Sequence, residues 1–239
     1  MPSASKPNSC KTCPSRNTEP FARLSPQGWA EFRKHCRFNI YEKGDVIFYA
    51  NNKPLGLFFL ASGKVKVVKS SFGERAHIPR VIKAPDLLGD RAFISGKHYT
   101  GTGVAMEPSH ICFLDAAHSN RIFAKEPAFW QFLARRFAEE LGAAEDHLLD
   151  LALKTIRERL AKHLIALMGP DADAGEARVT LGESRQETAE ILGTTTEAVC
   201  RTLAEFRTRR WIAIAGPLVT ILDPDRLRQL AGLPATDRT

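Results

Sequence analysis

Five cysteines, Cys10, Cys13, Cys36, Cys112 and Cys200, are the residues of this 239-residue chain best suited to redox or metal chemistry. Cys10-Lys11-Thr12-Cys13 has the two-residue gap that lets one turn of chain offer two thiolates to a single metal centre. An odd number of cysteines in a chain expected to stay reduced argues against a disulfide framework. The seven histidines form no metal-ligand spacing. A second pair with chemical meaning is Glu197 and Arg201, one helical turn apart. A carboxylate accepts from cytosine N4 and a guanidinium donates to guanine O6 and N7, so this pair can read neighbouring base pairs. No glycine-rich phosphate loop followed by Lys-Ser/Thr, no nucleophile elbow and no His-Glu-x-x-His occurs, and no enzyme is expected.

Two short helices joined at Gly193 are expected to hold Glu197 and Arg201 over residues 184–206, a helix-turn-helix pattern. Ala189, Ile191 and Leu192 supply the buried face of the first helix. Val199, Leu203 and Phe206 recur at spacings of 4 and 3 and pack the second, leaving Glu197, Cys200 and Arg201 outside. Thr196 and Arg185 complete the expected DNA-contacting set. Thr194 and Glu197 also have capping-box spacing, so Glu197 has a competing role as a helix cap. Residues 211–221 read as two strands around Gly216-Pro217, a wing.

Upstream, residues 1–20 carry Pro2, Pro7, Pro14 and Pro20 among polar residues and are expected to form a flexible, cysteine-bearing arm. A short helix opened by Ser25 and Pro26 follows. Over residues 37–115, short apolar runs alternate with turns at Gly44, Gly63, Gly73, Gly89 and Gly96, the spacing of a jelly roll or sandwich. Trp130, Ala134, Phe137, Leu141, Ala144, Leu148 and Leu151 then recur at 4, 3, 4, 3, 4 and 3, the seam of a coiled coil for three heptads. A long helix is implied, with Trp130, Phe137, Leu141, Ala144, Leu148 and Leu151 as dimerisation residues; packing on its own domain is the alternative. The expected class is α+β: an arm over 1–20, a jelly-roll sensor over 21–125, a dimerisation helix region over 126–163 and a winged helix-turn-helix DNA-binding domain over 164–239.

The charge balance is compatible with an acidic partner: 34 Lys and Arg against 27 Asp and Glu give +7 and a pI near 9.3. From Lys154 onward the count is 13 against 12, so the excess lies upstream of the helix-turn-helix. No apolar run approaches the roughly 18 residues of a membrane span, and the polar start lacks a secretory pattern, so a cytoplasmic protein is expected.

The order of roll, long helix and winged helix-turn-helix, with Glu197-Ala198-Val199-Cys200-Arg201 in the second helix, resembles the CRP/FNR superfamily of transcriptional regulators from about Phe38 to Gly232. Further echoes are Glu42-Lys43-Gly44-Asp45, Leu57-Phe58-Phe59-Leu60-Ala61-Ser62-Gly63-Lys64-Val65, Asp86-Leu87-Leu88-Gly89 and Arg157-Glu158-Arg159-Leu160-Ala161. The resemblance implies a homodimer on palindromic promoter DNA, RNA polymerase as a further partner, and base reading by Glu197 and Arg201. Cys200 departs from the family's usual Ser.

Cyclic-nucleotide members of the family carry a Glu after the cassette glycine and a later Arg-Ser pair. Here Asp90 follows Gly89 and no Arg occurs over 97–103, so a cyclic nucleotide is not expected. The oxygen-sensing branch holds a [4Fe–4S] cluster through an N-terminal cysteine arm and one roll cysteine. Cys10 and Cys13 resemble that arm, and Cys112 matches the roll position. The arm's third cysteine is missing, and Cys36, 23 positions beyond Cys13, is the nearest substitute. The expected ligand set is Cys10, Cys13, Cys36 and Cys112. A thiol/disulfide switch, a zinc site, a small-ligand sensor and a regulatory module that does not bind DNA are the alternatives.

Overall fold

Alternating apolar residues over the first half of the chain build two four-stranded antiparallel sheets. The computed structural model describes residues 14–70, 76–168, 177–180 and 184–234. The strands are β1 (Arg37–Tyr41), β2 (Val46–Phe48), β3 (Gly56–Ser62), β4 (Lys64–Ser70), β5 (Ala76–Lys83), β6 (Asp86–Leu88), β7 (Thr102–Ala105) and β8 (Ser109–Asp115). They order as β1-β8-β3-β6 and β2-β7-β4-β5, the expected jelly roll.

At β3 and β8 the first sheet is buried on both faces, which is why these strands read as nearly unbroken apolar runs. Leu57 and Phe59 alternate with Phe58 and Leu60, and Cys112 and Leu114 alternate with Ile111. One set points between the sheets, beside Phe48, Val65 and Tyr99. The other meets helices α1 (Pro26–His35), α3 (Ala116–Phe123) and the start of α4 (Pro127–Leu153); α2 (Asp90–Ser95) lies between them in sequence. Fully burying each large side chain here contributes about 1.5–3 kcal/mol.

Ser25 caps α1 by accepting from the Gly28 amide at 3.0 Å. Glu126, only 4 % exposed, in turn accepts from the Ser25 hydroxyl at 2.6 Å and amide at 2.9 Å. A carboxylate at a helix N-terminus is favoured by the helix dipole, so this buried acid ties α1 to the roll. Of the expected free arm over 1–20, residues 14–20 are described, and these pack on α1. Arg16 lies 5.0 Å from the Trp29 ring centroid and donates to the Phe21 carbonyl, and Pro20 and Phe21 are buried, because the aromatic surface of α1 gives the segment something to pack on. Cys10 and Cys13 lie outside the described residues.

The chain divides into two compact units, Met1–Glu140 and Leu141–Thr239, and α4 runs through the division. The second unit contains α5 (Ile156–Met168), β9 (Ala177–Thr180), α6 (Arg185–Leu192), α7 (Thr196–Thr208), β10 (Ile212–Ala215), β11 (Leu218–Ile221) and α8 (Pro224–Ala231). Leu160, Ala161, Leu164 and Ile165 of α5 share one buried core with Val199, Leu203 and Phe206 of α7. A boundary at 163/164 therefore cuts a helix that belongs to this core. Asp150, near the end of α4, holds Lys162 and lies 2.9 Å from Lys154, whose ammonium donates to the Ala231 carbonyl of α8 at 2.9 Å. Burial alone raises the Asp150 carboxyl; its bonds to Lys162 and Lys154 outweigh this and hold it below the usual range. Among the described residues no helix is long and apolar enough to cross a membrane.

Gly63 turns β3 into β4 at a φ of +98°, and an added Cβ would come 2.7 Å from the Ser109 Cα. Both the left-handed backbone and the backbone neighbour resist a side chain. Gly63→Ala is expected to cost about 1–3 kcal/mol, read as a lower Tm of the full chain.

Candidate nucleic-acid interface and sensor core

Ser184 opens α6 with a capping box: its hydroxyl accepts from the Glu187 amide, and the Glu187 carboxylate accepts from the Ser184 amide at 2.7 Å. Gly193 ends the helix in the left-handed conformation at a φ of +62°, making the tight turn into α7. The N-cap of α7 is Thr195, which accepts from the Ala198 amide at 3.2 Å. Glu197 therefore does not cap: its side chain is 86 % exposed and faces Arg201 at 3.6 Å. An exposed pair of this kind contributes only a few tenths of a kcal/mol, about 0.3–0.5, so both charges are readily redirected to another partner.

The opposite face of α7 is fixed. Val199, Leu203 and Phe206 are 0–2 % exposed, while Thr196, Glu197, Cys200 and Arg201 are all exposed along one side. Glu205 holds the helix to α5 through Arg157 at 2.9 Å and pairs with Arg209 at 3.0 Å. Arg185 is half-buried, and its Nη2 donates to the Gly216 carbonyl at 3.4 Å, so it joins α6 to the tip between β10 and β11. Those strands form the expected wing, and β9 adds a third strand to it that the sequence pattern did not reveal. Trp211 anchors the base of the wing, with Arg209 at 5.2 Å and Arg226 at 5.7 Å from its ring centroid.

Helix α4 has two apolar faces. Phe129 and Leu133 are buried against the roll, and Arg136 follows on the same side. On the other, Leu141 is 62 % and Leu148 67 % exposed, with Ala144 exposed between them. Three members of the expected seam are placed differently. Trp130 spends its indole N–H on the Phe123 carbonyl at 2.8 Å, Phe137 packs partly on the roll's core, and Leu151 lies against the Gly193 turn. Leu149 and Leu153, which the heptad pattern passed over, are 56 % and 74 % exposed.

Cys112 is 2 % exposed and lies opposite Phe38 and Phe59 in the β1–β8–β3 register. Cys36 closes the C-terminus of α1, its amide donating to the Phe32 carbonyl at 2.8 Å, and packs on the same core as Cys112. Cys200 is instead on the exposed face of α7. Among the described residues no group of three or more His, Cys, Asp or Glu is arranged to hold a metal ion.

The two units match two known families: the cyclic nucleotide-binding domain over residues 38–126 and the Crp-like helix-turn-helix domain over residues 158–230. Over 195 residues the chain is 30 % identical to the fumarate and nitrate reduction regulatory protein of Escherichia coli K12, covering 80 % of this chain and 77 % of that protein. The chain belongs to the CRP/FNR family of transcriptional regulators. It is also 25 % identical over 213 residues to a CRP-like cAMP-activated global transcriptional regulator of Mycobacterium tuberculosis H37Rv, covering 88 % of this chain and 95 % of that one. The fold is that of FixK2 from Bradyrhizobium japonicum, with a TM-score of 0.72 at 23 % identity over 84 % of this chain and 99 % of the other.

Membership of the CRP/FNR family makes this a DNA-binding regulator, and its relatives are regulators rather than enzymes. The family's helix-turn-helix match begins inside α5 and runs into α8, the extent of the buried core around Leu164, Leu203 and Leu227. Because Thr195 and not Glu197 caps α7, Thr195→Ala is expected to lose about 1 kcal/mol in denaturant unfolding, whereas Glu197→Ala stays within about 0.5 kcal/mol of the parent.

Proposed function

We propose that this CRP/FNR regulator acts in the cytoplasm as a homodimer on two-fold symmetric promoter DNA, with Glu197 and Arg201 reading base edges in the major groove. Thr196 and Cys200 extend the same face, and Arg185 supports it beside the wing. The observation that carries the reading is the division of α7 between a buried apolar face and an exposed one bearing Glu197 and Arg201. The exposed stripe of Leu141, Ala144 and Leu148 supports pairing with a second α4, since an apolar seam on an exposed helix is stabilised by burial against a partner. On a palindromic duplex, Arg201→Ala is expected to lose roughly 1–3 kcal/mol of discrimination at one base pair per half-site. Equal loss on random DNA at the same salt assigns Arg201 to phosphate instead. In the same assay Leu148→Glu gives a monomer by sedimentation and weak binding.

The signal in this reading is oxygen or redox state, received by a [4Fe–4S] cluster on Cys10, Cys13, Cys112 and Cys36. What supports it is the donor set: two described thiols, Cys36 and Cys112, meet one apolar core, and thiolates suit iron. That core is closed by Phe21, eight residues beyond Cys13, so the cysteine pair is tethered within reach of it. Bound there, the cluster supplies an oxygen-labile link between the N-terminal segment and the roll. Cys112 shares its core with Phe129 and Leu133, so a change in its environment bears directly on the first turns of α4. The residues after Gly89 support a signal other than a cyclic nucleotide: Asp90 spends its carboxylate on Arg136 at 2.7 Å, and no Arg occurs over 97–103. Tyr99, stacked on Phe48 with centroids 4.3 Å apart, belongs to the core between the sheets, and burial pushes its hydroxyl up to about 12.

Anaerobic reconstitution with iron and sulfide is expected to give visible absorption that air bleaches, that Cys112→Ser abolishes and that Cys200→Ser retains. A colourless, iron-free protein rejects the cluster; loss of two hydrogens by mass on mild oxidation then selects a dithiol switch.

A further inference from the structure

Six charged side chains meet where the roll is joined by the buried face of α4. Glu140 stands one turn beyond Arg136, so the helix presents both to the same place. One Glu140 oxygen accepts from Arg80 of β5 and lies 3.1 Å from Arg136. The other accepts from Arg91 of α2 through Nε at 3.2 Å and Nη2 at 2.7 Å. Three guanidiniums from three elements thus surround one carboxylate. Asp86 and Asp90 stand behind them: Arg136 reaches Asp90 at 2.7 Å and Asp86 at 2.9 Å, and Arg80 lies 3.9 and 3.8 Å from the same two acids.

The inner part of the cluster is removed from water, with Asp90 1 % and Arg136 8 % exposed, whereas Arg91 reaches Glu140 from the surface with its side chain 59 % exposed. Burial lowers the affinity of Arg80 for its proton and raises that of Asp86, the sign of desolvated charges that depend on one another. Arg80, Arg91 and Arg136 carry three positive charges and Asp86, Asp90 and Glu140 three negative, so the set is balanced only while Glu140 is in it. A fork of Arg nitrogens on two oxygens is how proteins bind carboxylate or phosphate anions.

We propose that Arg80, Arg91 and Arg136 form an oxyanion-binding site whose built-in occupant is the Glu140 carboxylate. The roll grips α4 through an anion carried by α4 itself, and no diffusible anionic effector is needed at this point. The site stands on the contacts of the first unit alone and is independent of the cysteine and DNA readings. Removing the Glu140 carboxylate uncovers a site with one excess positive charge, which inorganic phosphate can enter.

Thermal unfolding of the full chain, in chloride and in phosphate at equal ionic strength, tests this. The parent Tm is expected to be the same in both. Glu140→Ala lowers Tm by about 5 °C in chloride. Phosphate restores at least half of that loss, and Arg91→Ala in the Glu140→Ala background abolishes the restoration. An unchanged Tm for Glu140→Ala, a folded variant that phosphate does not restore, or a parent stabilised as much as the variant overturns the proposal. Should Glu140→Ala not fold, Glu140→Gln decides: it keeps the side-chain volume, so a Tm equal to the parent refutes a role for the charge, and a lowered Tm that phosphate raises supports it.

Discussion

The pairing of β3 with β8 is the constraint on which the roll depends. Because these two strands are buried on both faces, each must supply two apolar sets at a period of two, and a one-residue slip would exchange them. Phe59 lies opposite Cys112 and Leu60 opposite Ile111 in this register. Phe59 and Cys112 consequently face the helices while Leu60 and Ile111 face the second sheet. The thiol is placed by strand register, and everything that closes over it, from Phe21 to Leu133, is placed by the same surface.

Charge performs a different task in this unit. Apolar packing brings α1 and α4 to the sheet without much preference for their azimuth or axial position, whereas the polar contacts have directions. Glu126 receives the capped end of α1, and Arg136 inserts between Asp86 and Asp90. Buried ion pairs add little net stability because desolvation offsets attraction, but a mispaired arrangement strands a charge and is strongly disfavoured. Their effect is to select one seating of each helix.

In the second unit the same division separates scaffold from reader. The core of α5, α6, α7 and α8 takes up every large apolar side chain of α7, and the residues left outside are short or charged. The pair Glu197 and Arg201, proposed above to read DNA, is held only weakly by its own contact, while the helix beneath it is held firmly. Wing and reader are linked through Arg185, whose reach to the Gly216 carbonyl explains a basic residue at the start of α6.

Much of this was legible in the sequence. The periods of two and of three to four separated roll from helices, and Gly193 with Val199, Leu203 and Phe206 located the recognition helix, because local backbone geometry and one-sided burial leave a direct imprint on residue order. The tertiary structure decided the rest. Glu197 had capping spacing, yet Thr195 took the cap: its backbone is extended and its side chain accepts from the Ala198 amide. Trp130, Phe137 and Leu151 belong to the heptad pattern but are drawn partly to nearer surfaces, since an apolar side chain answers to whichever neighbour covers it. The cluster of Arg80, Asp86, Asp90, Arg91, Arg136 and Glu140 gathers residues up to 60 positions apart. No local pattern records such a set, because the attraction acts through space and the chain order of its members is set by the fold.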